Sequence, residues 1–265
     1  GTGGGPTTFN ISTTAALILH RICETAPEGH IIMIDPHGEY SSAFRHTGVI
    51  LDVTNLQMPY WLMNFEEHCE VLLTSSGNNR MEDADILSRC LLQARMKNRL
   101  SEGFGKVTVD APIPYLLSDL STILTNEMGK LDKSTTTAPY MRIKSKLDEL
   151  KGDPRYQFMF AGMLVGGTMS EFIAKIFRMP ARGKPISIID VSGVPSEVTS
   201  TVVAVLSRLV FDFAIWAREE KTRPILLVCE EAHRYLPRVK SPVTRSVERQ
   251  LERIAKEGRK YGVCL

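Results

Sequence analysis

Five short runs of aliphatic and β-branched residues punctuate the chain: HIIMID (30–35), VILDV (49–53), ISIIDV (186–191), PILLVCEE (224–231) and YGVCL (261–265). Each is apolar without alternation, the pattern of a strand covered on both faces, as in a parallel sheet between layers of helix. Each predicts a buried strand. Helical patterns stand between these runs, and that alternation predicts an α/β fold. A first helix is expected from about Thr7 to Glu24, ending in the helix-favouring run AALILHRI. The stretch from Pro195 to Glu220 is apolar nearly all round and predicts a helix at the centre of the domain. By contrast, SPVTRSVERQLERIAKEGRK puts Val243, Val247, Leu251 and Ile254 on one stripe, with Ser241 as N-cap and Pro242 at the first helical position. That helix packs one face and shows charge on the other.

From about Glu66 to Gly152 the pattern changes to polar, helix-rich sequence broken by turn clusters at SSGNN (75–79) and KSTTTAP (133–139). It predicts a helical insertion over 66–152 within a core made of 1–65 and 153–265. No internal repeat or low-complexity segment stands out.

A chain of 265 residues, 43% hydrophobic, is long enough for one large α/β domain with such an insertion. Its formal net charge is +2, with no long run of one sign, so any basic surface must be local. The five cysteines (Cys23, Cys69, Cys90, Cys229, Cys264) show no C-x-x-C spacing and lie mostly in apolar runs. They read as reduced core thiols of a cytoplasmic protein. No run reaches the ~18–20 consecutive apolar residues of a membrane span, and no charged-then-apolar leader begins the chain, so no membrane partner is expected. The chain starts without methionine inside a glycine-rich stretch and stops within a predicted strand. It is expected to be a fragment of a longer protein.

The opening GTGGGPTT resembles a phosphate-binding loop, in which a tight glycine turn and a helix N-terminus direct backbone N–H groups at phosphates while a hydroxyl holds magnesium. Gly3, Gly4 and Gly5 would make the turn, Thr7 would supply the hydroxyl, and Thr8 follows. Pro6 occupies the lysine position. Proline removes one backbone donor, and the missing lysine is a main source of transition-state charge stabilisation in such sites. A plain glycine-rich linker is the alternative.

Acidic residues end three of the predicted strands: Asp35, Asp190, and the pair Glu230 and Glu231. In an open parallel sheet the carboxyl ends of the strands line one edge, where ligands bind. An apolar strand ending in two acids also has the form of a Walker B element, whose first acid orients magnesium and whose second polarises the attacking water. The alternative is that strand-end acids cap helices, above all for Asp190, which VSGVPSE follows. His37 and His233 have no third ligand spaced near them, so zinc is not expected. No G-x-S-x-G nucleophile elbow occurs.

Taken together, IIMIDPHGEY, PYWLMNFEE, ISIIDVSGVPSEVTSTVVAVLSRLVFDFA, LLVCEEAHRYLP and RIAKEGRKYGV resemble, in this order and across residues 1–265, the HerA-like ATPases of the FtsK/HerA branch of RecA-like motors. The resemblance implies a RecA-like parallel sheet flanked by helices, ATP and Mg2+ as cofactors, and a homo-hexameric ring that pumps double-stranded DNA. It further implies a nuclease or other effector as partner, in DNA-end processing or antiphage defence. By resemblance Gly3, Gly4, Gly5, Pro6, Thr7 and Thr8 stand in the nucleotide loop, and Thr7 with Glu230 holds the metal. Glu231 is the catalytic base, Asp35 and Glu39 belong to the acidic DPHGEY element near the nucleotide, and Arg259 and Lys260 belong to EGRKYG, one of them reaching a neighbour's phosphates. Arg259 would suit a helix end as well. Arg238 and Lys240, or Arg142, Lys144 and Lys146, are the candidate DNA contacts. The family's N-terminal β-barrel and its strand after GVCL are missing from the chain, and Pro6 implies weak ATP binding and slow hydrolysis. A ring that hydrolyses nothing and scaffolds an effector is the alternative function; a conjugation-type DNA pump is a third.

Overall fold

The computed structural model describes residues 19, 21–22, 24, 29–99, 103, 105–130, 136–161, 169–217, 224–236 and 244–265. Five strands, β1 (His30–Asp35), β2 (Gly48–Leu51), β3 (Ile186–Asp190), β4 (Ile225–Cys229) and β5 (Val263–Cys264), form one sheet in the order β2-β3-β1-β4-β5. Every pairing is parallel. All carboxyl ends therefore share one edge and all amino ends the other. Among the described residues the helices of eight residues or more pack on one face, and Leu19, Tyr40 and Phe44 pack on the other, in the RecA-like α/β arrangement. The strands keep their predicted places but are shorter at several ends. β2, for example, stops at Leu51 because the Asp52 carboxylate turns the chain, accepting from the Thr54 amide at 2.9 Å and its hydroxyl at 2.6 Å. Of the first predicted helix, Leu19, Arg21, Ile22 and Glu24 are described, and they are helical.

Among the described residues the helices of eight residues or more are α1 (Phe65–Leu72), α2 (Gly77–Met96), α3 (Leu117–Gly129), α4 (Ala138–Gly152), α5 (Met169–Ile176), α6 (Ser196–Trp216) and α7 (Arg245–Glu257). In β1, Ile32 and Ile34 face the larger core with α6, while Ile31 and Met33 face a smaller one with Tyr40, Phe44, Ile186 and Ile188. Two buried faces explain why the strand does not alternate. Among the described residues α6 alone is long and apolar enough to cross a membrane, and 67% of its apolar window is buried inside the fold. It buries Val202, Val203, Leu206, Val210 and Phe211, each side chain contributing about 1.5–3 kcal/mol.

α1 to α4 share the larger core with the sheet. Asn64 and Glu67 form a reciprocal capping box at the start of α1. Glu67 is fully buried and accepts two hydrogen bonds from Arg208 of α6, at 3.0 and 2.9 Å. Arg95, at the end of α2, is buried without a carboxylate and donates instead to the carbonyls of Trp61, Met63, Ala111 and Ile113. Four carbonyl dipoles replace the water the guanidinium has lost. Of the four described thiols, Cys69, Cys90 and Cys229 are buried or partly buried, and burial raises them to about 12, 11 and 11 respectively, so they stay protonated. Cys264 is exposed on the outermost strand, unlike the core thiol expected there.

Candidate functional site

The register of the sheet sets the carboxylates side by side. Asp35 stands opposite Asp190, Ile34 stands opposite Cys229, and the Glu230 amide donates to the Ile34 carbonyl at 3.2 Å. Asp190, Asp35 and Glu230 therefore form a row across three neighbouring strands at the carboxyl edge. Burial then divides their roles. Asp35 is fully buried, and its carboxylate accepts three backbone N–H bonds, from His37 (3.1 Å), Gly38 (2.9 Å) and Tyr40 (3.0 Å). Its lone pairs hold the DPHGEY turn in shape. Gly38 must be glycine here, since its φ is +68° and a Cβ would stand 3.0 Å from Asp190 Oδ2. Asp190 caps its own turn through the Ser192 amide at 2.9 Å. Glu39 is exposed at the rim of this turn.

Beyond β4 the chain turns sharply. Glu231 has φ 46° and ψ 44°, a left-handed conformation rare outside glycine, and a 3-10 turn, Ala232–Arg234, follows it. The bend directs the Glu231 carboxylate to the surface, where it lies 3.0 Å from His233 Nδ1. Tyr235, fully buried, reaches back to donate its hydroxyl to the Glu230 carbonyl at 3.0 Å. Arg234 spans from this turn to the neighbouring one, placing Nη1 3.2 Å from His37 Nδ1 and 3.5 Å from the Pro36 carbonyl. A recess of about 90 Å³ opens beside it, lined by Pro36, Val191, Ser192, Ser196, Thr199 and Arg234. His233 and His37 thus serve as the partners of Glu231 and Arg234 respectively. No group of three metal-ligating side chains occurs among the described residues.

Arg259 and Lys260 lie elsewhere. They occupy the 3-10 turn Gly258–Tyr261 that leads into β5, and the Gly262 carbonyl accepts from the Ile225 amide at the very start of β4. They belong to the amino edge, a strand length of roughly 15 Å from Glu230. Gly258 is tightly placed, since a Cβ there would meet the Val263 carbonyl at 2.7 Å. Lys260 holds its ammonium 5.5 Å from the Tyr261 ring centre. Arg142 grips Asp83 of α2 with both Nε (3.0 Å) and Nη2 (2.6 Å), and that carboxylate is 1% exposed. Lys144 donates to Thr125 at 3.0 Å, and Lys146 pairs with Glu149 at 2.7 Å. All three cations offered as DNA contacts in α4 are engaged within the helical bundle. Gly3, Gly4, Gly5, Pro6, Thr7, Thr8, Arg238 and Lys240 lie outside the described residues, as do Ser241 and Pro242.

The family described as helicase HerA, central domain, matches residues 12–210, three quarters of the chain. The chain belongs to that family. HerA-type domains are P-loop ATPases, a group of DNA-translocating motors, and the matched span contains Asp35, Glu39 and Asp190 but ends before β4. Among solved structures, VirB4 of Thermoanaerobacter pseudethanolicus superposes with a TM-score of 0.62 at 16% identity, over 95% of this chain and 90% of that one. At that identity the likeness speaks for the fold, including the strands beyond residue 210. No curated protein matches the chain.

Tyr235 and Arg234 were not singled out as site residues in the sequence. Their only trace was the EEAHRY spacing, which puts a tyrosine five residues after the first acid.

Proposed function

We propose that this chain is the motor core of an ATP-driven translocase or helicase on double-stranded DNA, working as a homo-hexameric ring in the cytoplasm and coupled to a nuclease or other effector in DNA-end processing or antiphage defence. The observation that carries the reading is the Glu230–Glu231 turn at the carboxyl edge of the sheet in a HerA-family chain. Residues 66–152 are read as an insertion into the motor fold.

ATP with Mg2+ would bind at this edge. Glu230 suits a hard cation: it is a part-exposed carboxylate with no hydrogen bond or ion pair to its side chain among the described residues. Thr7 would be the second protein ligand, with Gly3, Gly4, Gly5 and Thr8 around the phosphates. Mg2+ would neutralise phosphate charge when bound. Glu231, turned outward, takes the proton of the attacking water, and His233 beside it fixes its orientation. Asp35 acts by shaping the turn that carries Glu39. Arg259 and Lys260, at the far edge of their own sheet, serve the nucleotide of an adjoining copy in a head-to-tail ring.

Pro6 favours a second reading, a ring that assembles an effector without hydrolysing ATP. Turnover of ATP by the full-length protein, with and without duplex DNA and with residue 6 as proline and as lysine, separates the two. The motor reading expects DNA-stimulated hydrolysis in the lysine form and a loss of about 100-fold or more on Glu231→Gln. Ring assembly with no hydrolysis in either form would establish the scaffold instead.

A further inference from the structure

At the amino edge of the sheet, the segments that lead into β2 and β3 carry charge of the opposite sign to the site. Before β2 the chain reads SSAFRHTG, and before β3 it reads FRMPARGKP. These segments hold Arg45, His46, Arg178, Arg182 and Lys184 and no carboxylate. Parallel pairing sets them against each other: Gly48 stands opposite Ile186, and Lys184 Nζ donates to the Arg45 carbonyl at 3.2 Å. Both are anchored, through Phe44 and Phe177, which are 2% and 1% exposed. Arg178 closes the second segment by donating Nε to the Lys184 carbonyl at 3.2 Å.

Three features mark this edge as built for an anion. Arg45, His46 and Arg182 are exposed, and among the described residues none has an ion partner. Elsewhere in the fold Arg142 pairs with Asp83 and Arg208 with Glu67. Cations gathered on one edge repel one another unless a counter-charge arrives from outside. Arg178 and Arg182 also have φ of 53° and 49°. Left-handed backbone is unfavourable at a non-glycine residue, and here it occurs twice within five residues to turn a basic loop.

We propose that this amino edge, formed by Arg45, His46, Arg178, Arg182 and Lys184, is a binding surface for the phosphate backbone of a nucleic acid, independent of base sequence. Guanidinium groups bind phosphate oxygens bidentately, and a row of them follows a phosphate chain. A lipid surface fits less well, because membrane-binding patches add exposed apolar side chains to their cations. None of the exposed large apolar residues among the described ones lies in either segment. The surface is a strand length away from Glu230 and Glu231 and so is distinct from the candidate ATP site. Its choice of duplex DNA as ligand rests on the translocase reading.

The test is fluorescence anisotropy of the full-length protein with a labelled mixed-sequence duplex, without nucleotide, over a range of salt. The variant is Arg45→Gln with Arg182→Asn and Lys184→Gln; asparagine tolerates the left-handed backbone at 182. It is expected to bind about 10- to 100-fold more weakly at moderate salt and to lower the log–log salt slope by roughly 2 to 3. Arg89→Gln with Lys106→Gln, removing charge elsewhere, is expected to bind like the unmodified protein. Should the triple variant melt early, Arg45→Gln alone, at an exposed and unpartnered side chain, is expected to lower the slope by about 1. Unchanged affinity and slope would overturn the proposal, as would binding of anionic vesicles or polyglutamate without binding of duplex. If duplex binding falls in the variant while no form hydrolyses ATP, this surface stands and the translocase reading fails. If hydrolysis is intact and duplex binding does not move, the surface fails alone.

Discussion

Glu231 depends on a residue four positions further on. Its left-handed backbone is closed by the Tyr235 hydroxyl on the Glu230 carbonyl, so the tyrosine fixes where the acidic pair points. Tyr235→Phe keeps the ring in the core and removes the hydroxyl with its bonds to the Glu230 carbonyl and the Cys229 thiol. It should cost about 0.5–1.5 kcal/mol of stability. In the form of the protein that turns over, kcat should fall about 10-fold with KM for ATP unchanged, since positioning acts on the transition state. Faster amide exchange over residues 231–236 should accompany the loss. Equal kcat in the two forms would show that the clamp does not orient Glu231. The acids themselves were legible, because a charge ending an apolar run is conspicuous in any sequence. What each acid does was not. Asp35 looks like Glu230 in sequence, yet three backbone N–H groups occupy it, and only the folded turn creates those donors.

Among the elements, α7 shows where pattern ends and tertiary structure begins. Its apolar stripe predicted the buried Val247, Leu251 and Ile254. What anchors its start came from elsewhere in the chain: Glu70 of α1 accepts the Ser246 amide at 3.0 Å and lies 3.4 Å from the Thr201 hydroxyl of α6. No local signal marks a cap supplied by a distant helix. Burial raises the Glu70 carboxyl to about 7, and the neighbouring Glu66 and Glu67 add to the rise. The folded protein thus binds a proton here that the unfolded chain releases near 4.5, so this group's contribution to stability declines as pH rises from about 4.5 to 7 and is level above that. Glu70→Gln, which keeps an acceptor for Ser246, should be more stable than the unmodified protein at pH 8 by on the order of 1–3 kcal/mol, with the gap closing toward pH 5. Denaturant melts at both pH values measure this. A gap that is the same at pH 5 and pH 8 would rule the titration out.

For the molecule as a whole, the helical stretch and the sheet share one core rather than two. Leu147 of α4, fully buried, belongs to the same cluster as Ile34 of β1 and Val210 of α6. Leu147→Ala should therefore cost about 2–5 kcal/mol. It should lower the melting midpoint seen by probes in the bundle and in the sheet alike, whereas separate shifts would mean separate folding units. The polar composition that marks 66–152 as different was readable, but its packing against the sheet was not, because Arg95 and Glu67 are inward-facing charges that pattern assigns to solvent.

The strand order has a consequence for how the chain is made. Of the described strands β1 emerges first and ends between β3 and β4, so its partners Ile186 and Ile225 are synthesised long after it. Until then an apolar strand waits with both edges bare, while the helices between can gather on local contacts. Birth of the protein on the ribosome should therefore run from bundle to sheet, with the acidic turn after β4 among the last parts to take shape.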